Sequence, residues 1–138
     1  MLSRIARNTT RLLSYEFAVS GKHLPVKDLK SSDPFFKFSL NNGTVLHQSE
    51  VVKSNLNPTF KKFTLDGSSI GTDINNSSIK IEVRDKDMMS TEYMGSGFVK
   101  FEELENGHTQ TVRLIDIETK KPAGTFFVKM TKVNYNIV

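Results

Sequence analysis

The sequence predicts an all-β fold, an eight-stranded antiparallel β-sandwich, on three observations. Short segments of alternating apolar and polar residues recur along the chain, turn-forming residues separate them, and helical periodicity is almost absent. The 138 residues suit one domain with one core. The chain has ten Phe, no Trp and no Cys, which excludes disulfides, thiolate metal sites and a cysteine nucleophile.

The predicted strands are bounded by turn signals. Asn41-Asn42-Gly43 predicts a hairpin because Asn-Gly tolerates positive φ, whereas Pro34 and Pro58 end loops. We predict a connection at 66–76, one helical turn at 101–105 and a turn at 122–124. We expect Phe35, Phe36, Phe60 and Phe63 in the core. The predicted strands cover residues 15–20, 35–40, 44–53, 59–65, 79–84, 94–100, 109–114 and 125–133.

The charge is concentrated at the N-terminus. The net charge is +4, and Arg4, Arg7 and Arg11 supply three of these charges. Residues 1–14 are therefore interpreted as a basic leader or arm, with a mitochondrial presequence as the alternative. The sandwich is expected at 15–134, followed by a tail at 135–138. The body is almost neutral, so we expect no nucleic-acid partner.

One stretch, 79–95, carries the chemistry. A strand with Ile79, Ile81 and Val83 on one face leads into a loop with two flexible, apolar residues, Met88 and Met89, placed where a core cannot easily enclose them. Carboxylates close together repel unless a cation neutralises them, and Ca²⁺ prefers carboxylate oxygens. The candidate metal ligands, from this loop and an earlier one, are Asp28, Asp33, Asp85, Asp87 and Glu92.

Enzyme motifs fail on context, so we expect no catalysis. The Gly67–Gly71 string has the form G-x-S-x-G, but no helix pattern or parallel sheet accompanies it. An EF-hand loop beginning at Asp85 would place Ser90 where glycine is required and Ser96 where the final glutamate is required. The three histidines lack a zinc spacing and are interpreted as surface or turn residues: His23, His47 and His108.

The order and spacing of three motifs resemble a C2 domain, most closely the second C2 domain of copines. These motifs are 32–35 (SDPF), 57–60 (NPTF) and 85–95 (DKDMMSTEYMG), with copine-like segments at 24–29, 49–53 and 124–127. The resemblance implies a sandwich whose loops at one end bind Ca²⁺ and anionic phospholipid. It makes Asp28 and Asp33 first-loop ligands, Asp85 and Asp87 a bridging pair, and Glu92 the last ligand. The sequence departs from the family spacing between Asp28 and Asp33 and in the loop before Glu92.

The expected function is therefore calcium-dependent phospholipid binding by a cytoplasmic, peripheral membrane module. Met88 and Met89 would enter the headgroup region, and Lys30 would contact anionic lipid. Lys61 and Lys62 would extend a basic face or form a solvated strand edge. The alternative is a sandwich with a degenerate metal site that binds lipid without calcium, or a protein partner. We expect a monomer.

Overall fold

The structure is a computed structural model that describes residues 13–27, 31–70 and 78–134. These ranges form eight strands and two short helices, which confirms the predicted all-β class and the helical turn near 101–105. In chain order the elements are β1 (Leu13–Lys22), β2 (Pro34–Leu40), β3 (Val45–Gln48), β4 (Phe63–Asp66), α1 (Gly67–Ile70), β5 (Ser78–Lys86), β6 (Thr91–Lys100), α2 (Phe101–Leu104), β7 (Gln110–Asp116) and β8 (Lys121–Asn134).

The strands pair antiparallel in the order β3-β2-β5-β6-β7-β8-β1-β4. β6 and β7 pair only at Ser96 and Ile115, so the sheet divides there into two layers of four strands. Rings from the two layers meet in the middle, because Phe17 of β1 lies edge-on to Phe38 of β2 with centroids 5.5 Å apart. The layers pack face to face, as predicted for a sandwich.

The core is dominated by phenylalanine, as the composition predicts. The period-two pattern of β5 is confirmed, since Ile79, Ile81 and Val83 are all fully buried. Of the four Phe residues assigned to the core, Phe63 is only partly buried and packs at its margin, whereas three are buried: Phe35, Phe36 and Phe60.

One end of the sandwich, which we call the acidic end, collects four connections. β1, β5 and β7 end there and β2, β6 and β8 begin there, because neighbouring strands are antiparallel. The connections are 23–33, 49–62, 87–90 and 117–120. The 49–62 connection joins them through a backbone bond from Val52 N to Pro34 O at 2.9 Å. The 41–44 hairpin and α2 lie at the opposite end.

β3 and β4 are shorter than the predicted strands at 44–53 and 59–65. The N–H of Ser49 still donates to Phe36 O at 2.9 Å, but the Ser49 hydroxyl accepts the hydrogen bond from Phe36 N at 2.8 Å, so a side chain replaces one of the two ladder bonds where β3 ends. Before β4, Phe60 N still donates to Val19 O of β1 at 3.0 Å, but the next N–H, that of Lys61, donates to Glu50 Oε2 at 2.7 Å, so the ladder with β1 is interrupted between Phe60 and Phe63. Side-chain capture of backbone groups interrupts both strands.

The turn before β8 lies at 117–120, so the predicted turn at 122–124 is wrong. Asp116 Oδ1 accepts the N–H groups of Glu118 and Thr119 at 2.9 and 3.2 Å, which closes the turn earlier. Gly124 instead lies within β8 with φ of +95°. The hairpin at 41–43 is confirmed, although Gly43 is its only residue with positive φ.

The N-terminal boundary differs slightly from the prediction. Leu13 and Ser14 belong to β1, so the sandwich begins two residues before 15. The rest of the leader, including Arg4, Arg7 and Arg11, and the tail at 135–138 lie outside the described residues. No helix in the described part of the chain is long and apolar enough to cross a membrane.

Candidate metal and membrane site

Asp85 is the buried acid of the acidic end. It continues the inward-facing series of β5 and is 0% exposed. In the register of β5 with β2 it lies opposite Pro34, directly after Asp33. The N–H of Asp33 donates to Asp85 Oδ1 at 2.7 Å. This bond ties the residue before β2 to β5, so Asp85 fixes where the 23–33 connection enters β2.

Asp33 extends this link to the 49–62 connection. Its carboxylate Oδ1 accepts the N–H of Ser54 at 2.7 Å, and its carbonyl accepts the N–H of Lys86 at 3.0 Å. Ser54 has φ of +49°, an uncommon conformation for a residue other than glycine. The two carboxylates thus hold three chain segments together. The sequence interpretation did not identify Ser54, although the turn-forming string Ser54-Asn55 before Asn57-Pro58 was a signal.

Ser32 shapes the described part of the 23–33 connection. Its buried hydroxyl donates to Pro25 O and accepts from Lys27 N, both at 2.8 Å. These bonds give the loop a fixed fold at its base. Asp28 and Lys30 lie outside the described residues, so their predicted roles remain predictions.

The 87–90 connection is a tight turn with an apolar tip. Asp87 N donates to Ser90 O at 2.9 Å. Between them, Met88 is 97% exposed and Met89 is 94% exposed. Two adjacent large apolar side chains with almost complete exposure are costly in water unless something covers them.

Glu92 was predicted to lie in a loop, but it lies in β6. The strand begins at Thr91, three residues earlier than expected, and Glu92 pairs directly with Asp85 in the β5–β6 register. Side chains of directly paired residues leave the same face of a sheet. The Glu92 side chain is exposed, whereas Asp85 is buried.

The donor chemistry at this end suits a hard cation, because Asp33, Asp85, Asp87 and Glu92 all offer carboxylate oxygens. Within the described ranges, however, no three Asp, Glu or His side chains are grouped closely enough to hold a metal ion. Their role as calcium ligands is therefore still a prediction. Asp28, the fifth predicted ligand, lies outside the described residues.

The two lysines assigned to a basic face are exposed. Lys62 Nζ lies 3.9 Å from Glu16 Oε1, a distance at which an exposed ion pair contributes little to stability. Together with the Lys61 backbone bond to Glu50, this arrangement matches the solvated-edge interpretation.

His47 was predicted to be a surface or turn residue, but it lies in β3. It is half-buried and its ring stacks on Phe63, with centroids 3.6 Å apart and planes 6° from parallel. Burial lowers the pKa of His47, and the nearby carboxylate of Glu50 partly opposes this effect. Its chemistry is that of a packed ring at the core margin.

Comparison with known proteins identifies the fold family. The family model described as the C2 domain matches residues 17–114, more than half of the chain. A C2 domain of plant extended synaptotagmin 1 superimposes with a TM-score of 0.74 over 92% of this chain and 98% of that domain, at 21% identity. That similarity concerns the fold.

Sequence relatives are longer proteins. Copine-D of Dictyostelium discoideum is 57% identical over 44 residues, which is 32% of this chain and 8% of that protein. Multiple C2 and transmembrane domain-containing protein 2 of Mus musculus is 32% identical over 99 residues, 71% of this chain and 11% of that protein. The chain thus spans a small part of the relatives it matches, and its likeness to copines is limited to a short segment.

Proposed function

Because the chain belongs to the C2 domain family, we propose that it is a calcium-dependent phospholipid-binding module that docks peripherally on the cytoplasmic face of a membrane. One observation carries this proposal. Two almost fully exposed methionines, Met88 and Met89, form the tip of a turn that begins at the candidate ligand Asp87, two residues after the candidate ligand Asp85.

The acids explain why docking would require an ion. Carboxylates at the membrane-facing end repel anionic lipid, so the methionine tip would be held away from the surface. When bound, calcium supplies positive charge at this end and accepts phosphate oxygens as ligands. Asp28, Asp33, Asp85, Asp87 and Glu92 are the residues that would hold it.

Among the described acids, those that hold the loops in place can be distinguished from the one that best reports ion binding. Asp85 and Asp33 hold the three connections in place through the bonds to Asp33 N and Ser54 N. Asp87 makes its one described hydrogen bond through its backbone N–H, so its carboxylate is the better probe of ion binding. Met88 and Met89 would then enter the headgroup region, with Lys30 contacting lipid phosphate.

The test is a calcium titration by isothermal calorimetry on Asp87→Asn. The control is Asp66→Asn, because Asp66 is an exposed acid where β4 ends, at the opposite end of the sandwich. Asp87→Asn should weaken calcium binding by about tenfold or more, and Asp66→Asn should leave it unchanged. No calcium binding by the unmodified chain would refute the proposal.

One observation favours a second candidate, a sandwich with a degenerate metal site. No three acids in the described part of the chain are grouped for metal binding, and Asp85 Oδ1 already accepts a backbone N–H. Such a domain would bind lipid without calcium or bind a protein partner. Its binding would be unaffected by Asp87→Asn.

A further inference from the structure

The turn at 117–120 lies at the acidic end, as the methionine tip does. β6 begins directly after the 87–90 connection. Tyr93 of β6 bonds to the residues before and after Asp116, the last residue of β7. Its hydroxyl donates to Ile115 O at 3.2 Å and accepts from Ile117 N at 3.4 Å. The hydroxyl is also 2.9 Å from Ser96 Oγ. Tyr93 therefore holds the start of this turn against the strand that follows Met88 and Met89.

The turn has a fixed internal structure. Asp116 Oδ1 accepts the N–H groups of Glu118 and Thr119, and Asp116 O accepts the N–H of Lys120 at 2.7 Å. Lys120 has φ of +64°. Ile117 is nevertheless 58% exposed, so its exposure results from the shape of the turn and not from a loose chain.

The side chains of this turn combine an apolar group with cations. Lys120 and Lys121 are both exposed and follow Ile117 by three and four residues. Glu118 is the one exposed acid between them. An exposed isoleucine beside two lysines is suited to the interface of an anionic membrane, where the apolar side chain enters the headgroup region and the lysines meet phosphate.

We propose that residues 117–121 form a second lipid-contacting element, so that the domain docks along the β6–β7 edge on two tips. This inference rests on the proposed membrane function. The occupant is an anionic lipid surface because Tyr93 joins the turn to the strand that follows the methionine tip, and because the turn presents an exposed isoleucine with two exposed lysines. With one contact, the domain could tilt on the membrane. The second contact fixes the tilt angle of the sandwich.

Single-cysteine labelling tests this proposal, because the chain contains no Cys. Met88→Cys, Ile117→Cys and Glu102→Cys are labelled with an environment-sensitive fluorophore; Glu102 lies in α2 at the opposite end. With calcium and phosphatidylserine-containing vesicles, labels at 88 and 117 should both shift to the blue, and the label at 102 should not. A shift at 88 without one at 117 overturns the second contact while membrane docking stands. No shift at either position refutes docking itself.

Substitutions give an independent readout on the unlabelled chain. Ile117→Ser should weaken partition onto the same vesicles by about tenfold, and Lys121→Gln by about fivefold. The control is Val45→Ser, because Val45 is 54% exposed and lies at the opposite end. Equal partition of Ile117→Ser and the unmodified chain would contradict the proposal.

Discussion

The N–H of Asp33 donates to the carboxylate of Asp85 at 2.7 Å, across 52 residues of sequence. Both acids are candidate metal ligands, and both are also structural, because Asp33 in turn accepts the N–H of Ser54. Loss of function in a variant of either residue therefore does not by itself demonstrate metal binding. Variants that preserve the hydrogen bond while removing the charge are needed.

Asp85→Ala and Asp85→Asn should separate these roles. Alanine removes the acceptor and leaves the N–H of Asp33 without its bond, which should cost about 1–3 kcal/mol of stability. Asparagine retains an oxygen that can accept the same N–H, so its cost should be smaller. Urea unfolding in the presence of chelator measures both. Equal stability of the two variants would show that the bond contributes little.

The methionine tip should be irrelevant to stability. Met88→Ser/Met89→Ser removes only exposed side chains, so the free energy of unfolding should change by less than about 0.5 kcal/mol. Partition onto phosphatidylserine vesicles with calcium should fall by about tenfold or more, because each buried Met contributes about 1.5–3 kcal/mol when fully covered. Unchanged partition would remove the tip from the docking surface.

The sequence predicted the sandwich because alternation, turns and a Phe-rich composition are local signals. It also placed Met88 and Met89 in the loop after β5, away from the core, and both are exposed. It did not predict the Asp33–Asp85 bond, the early start of β6 at Thr91 or the turn after Asp116. The bond and the turn depend on side chains that capture backbone groups, one of them distant in sequence, and a period-two pattern carries no information about such partners.

Two glycines have similar positive φ but differ in the space around them, so substituting both measures the effect of close packing. Gly43 has φ of +91° and nothing lies within 4 Å of an added Cβ, whereas at Gly124, with φ of +95°, the carbonyl oxygens of Lys22 and His23 lie 2.8 Å from that position. Gly43→Ala should cost about 1–2 kcal/mol for its conformation alone. Gly124→Ala should cost distinctly more, since backbone must move.

Thermal or urea unfolding of the two glycine variants checks this difference. The larger loss at Gly124 is expected because β8 approaches the end of β1 there, and the two closest atoms to the added Cβ are backbone oxygens, which cannot move aside as a side chain can. Losses of equal size would indicate that β1 and β8 separate without penalty at that position.

His47 should make stability depend on pH. Burial lowers its pKa in the folded state, so the unfolded chain takes up a proton first as the pH falls below about 6.5. The contribution of the neutral ring is thus complete above that pH and is lost as the pH falls through the lowered pKa of His47. Compared with His47→Phe, the unmodified chain should lose stability between about pH 7.5 and 5.

Glu50 supplies the control for this titration. Its carboxylate raises the pKa of His47, so Glu50→Gln should lower that pKa further, as followed by the imidazole proton shift in NMR spectra. A stability difference between the unmodified chain and His47→Phe that does not vary with pH would contradict the assignment.

Calcium is expected to switch this domain onto anionic membranes, and co-sedimentation with phosphatidylserine-containing vesicles is the decisive experiment. It is carried out at near-physiological salt, once with calcium and once with chelator. We expect pelleting with calcium and none with chelator. Pelleting in both conditions would assign binding to Lys and Arg side chains instead, and pelleting in neither would contradict the membrane function and favour a protein-binding sandwich.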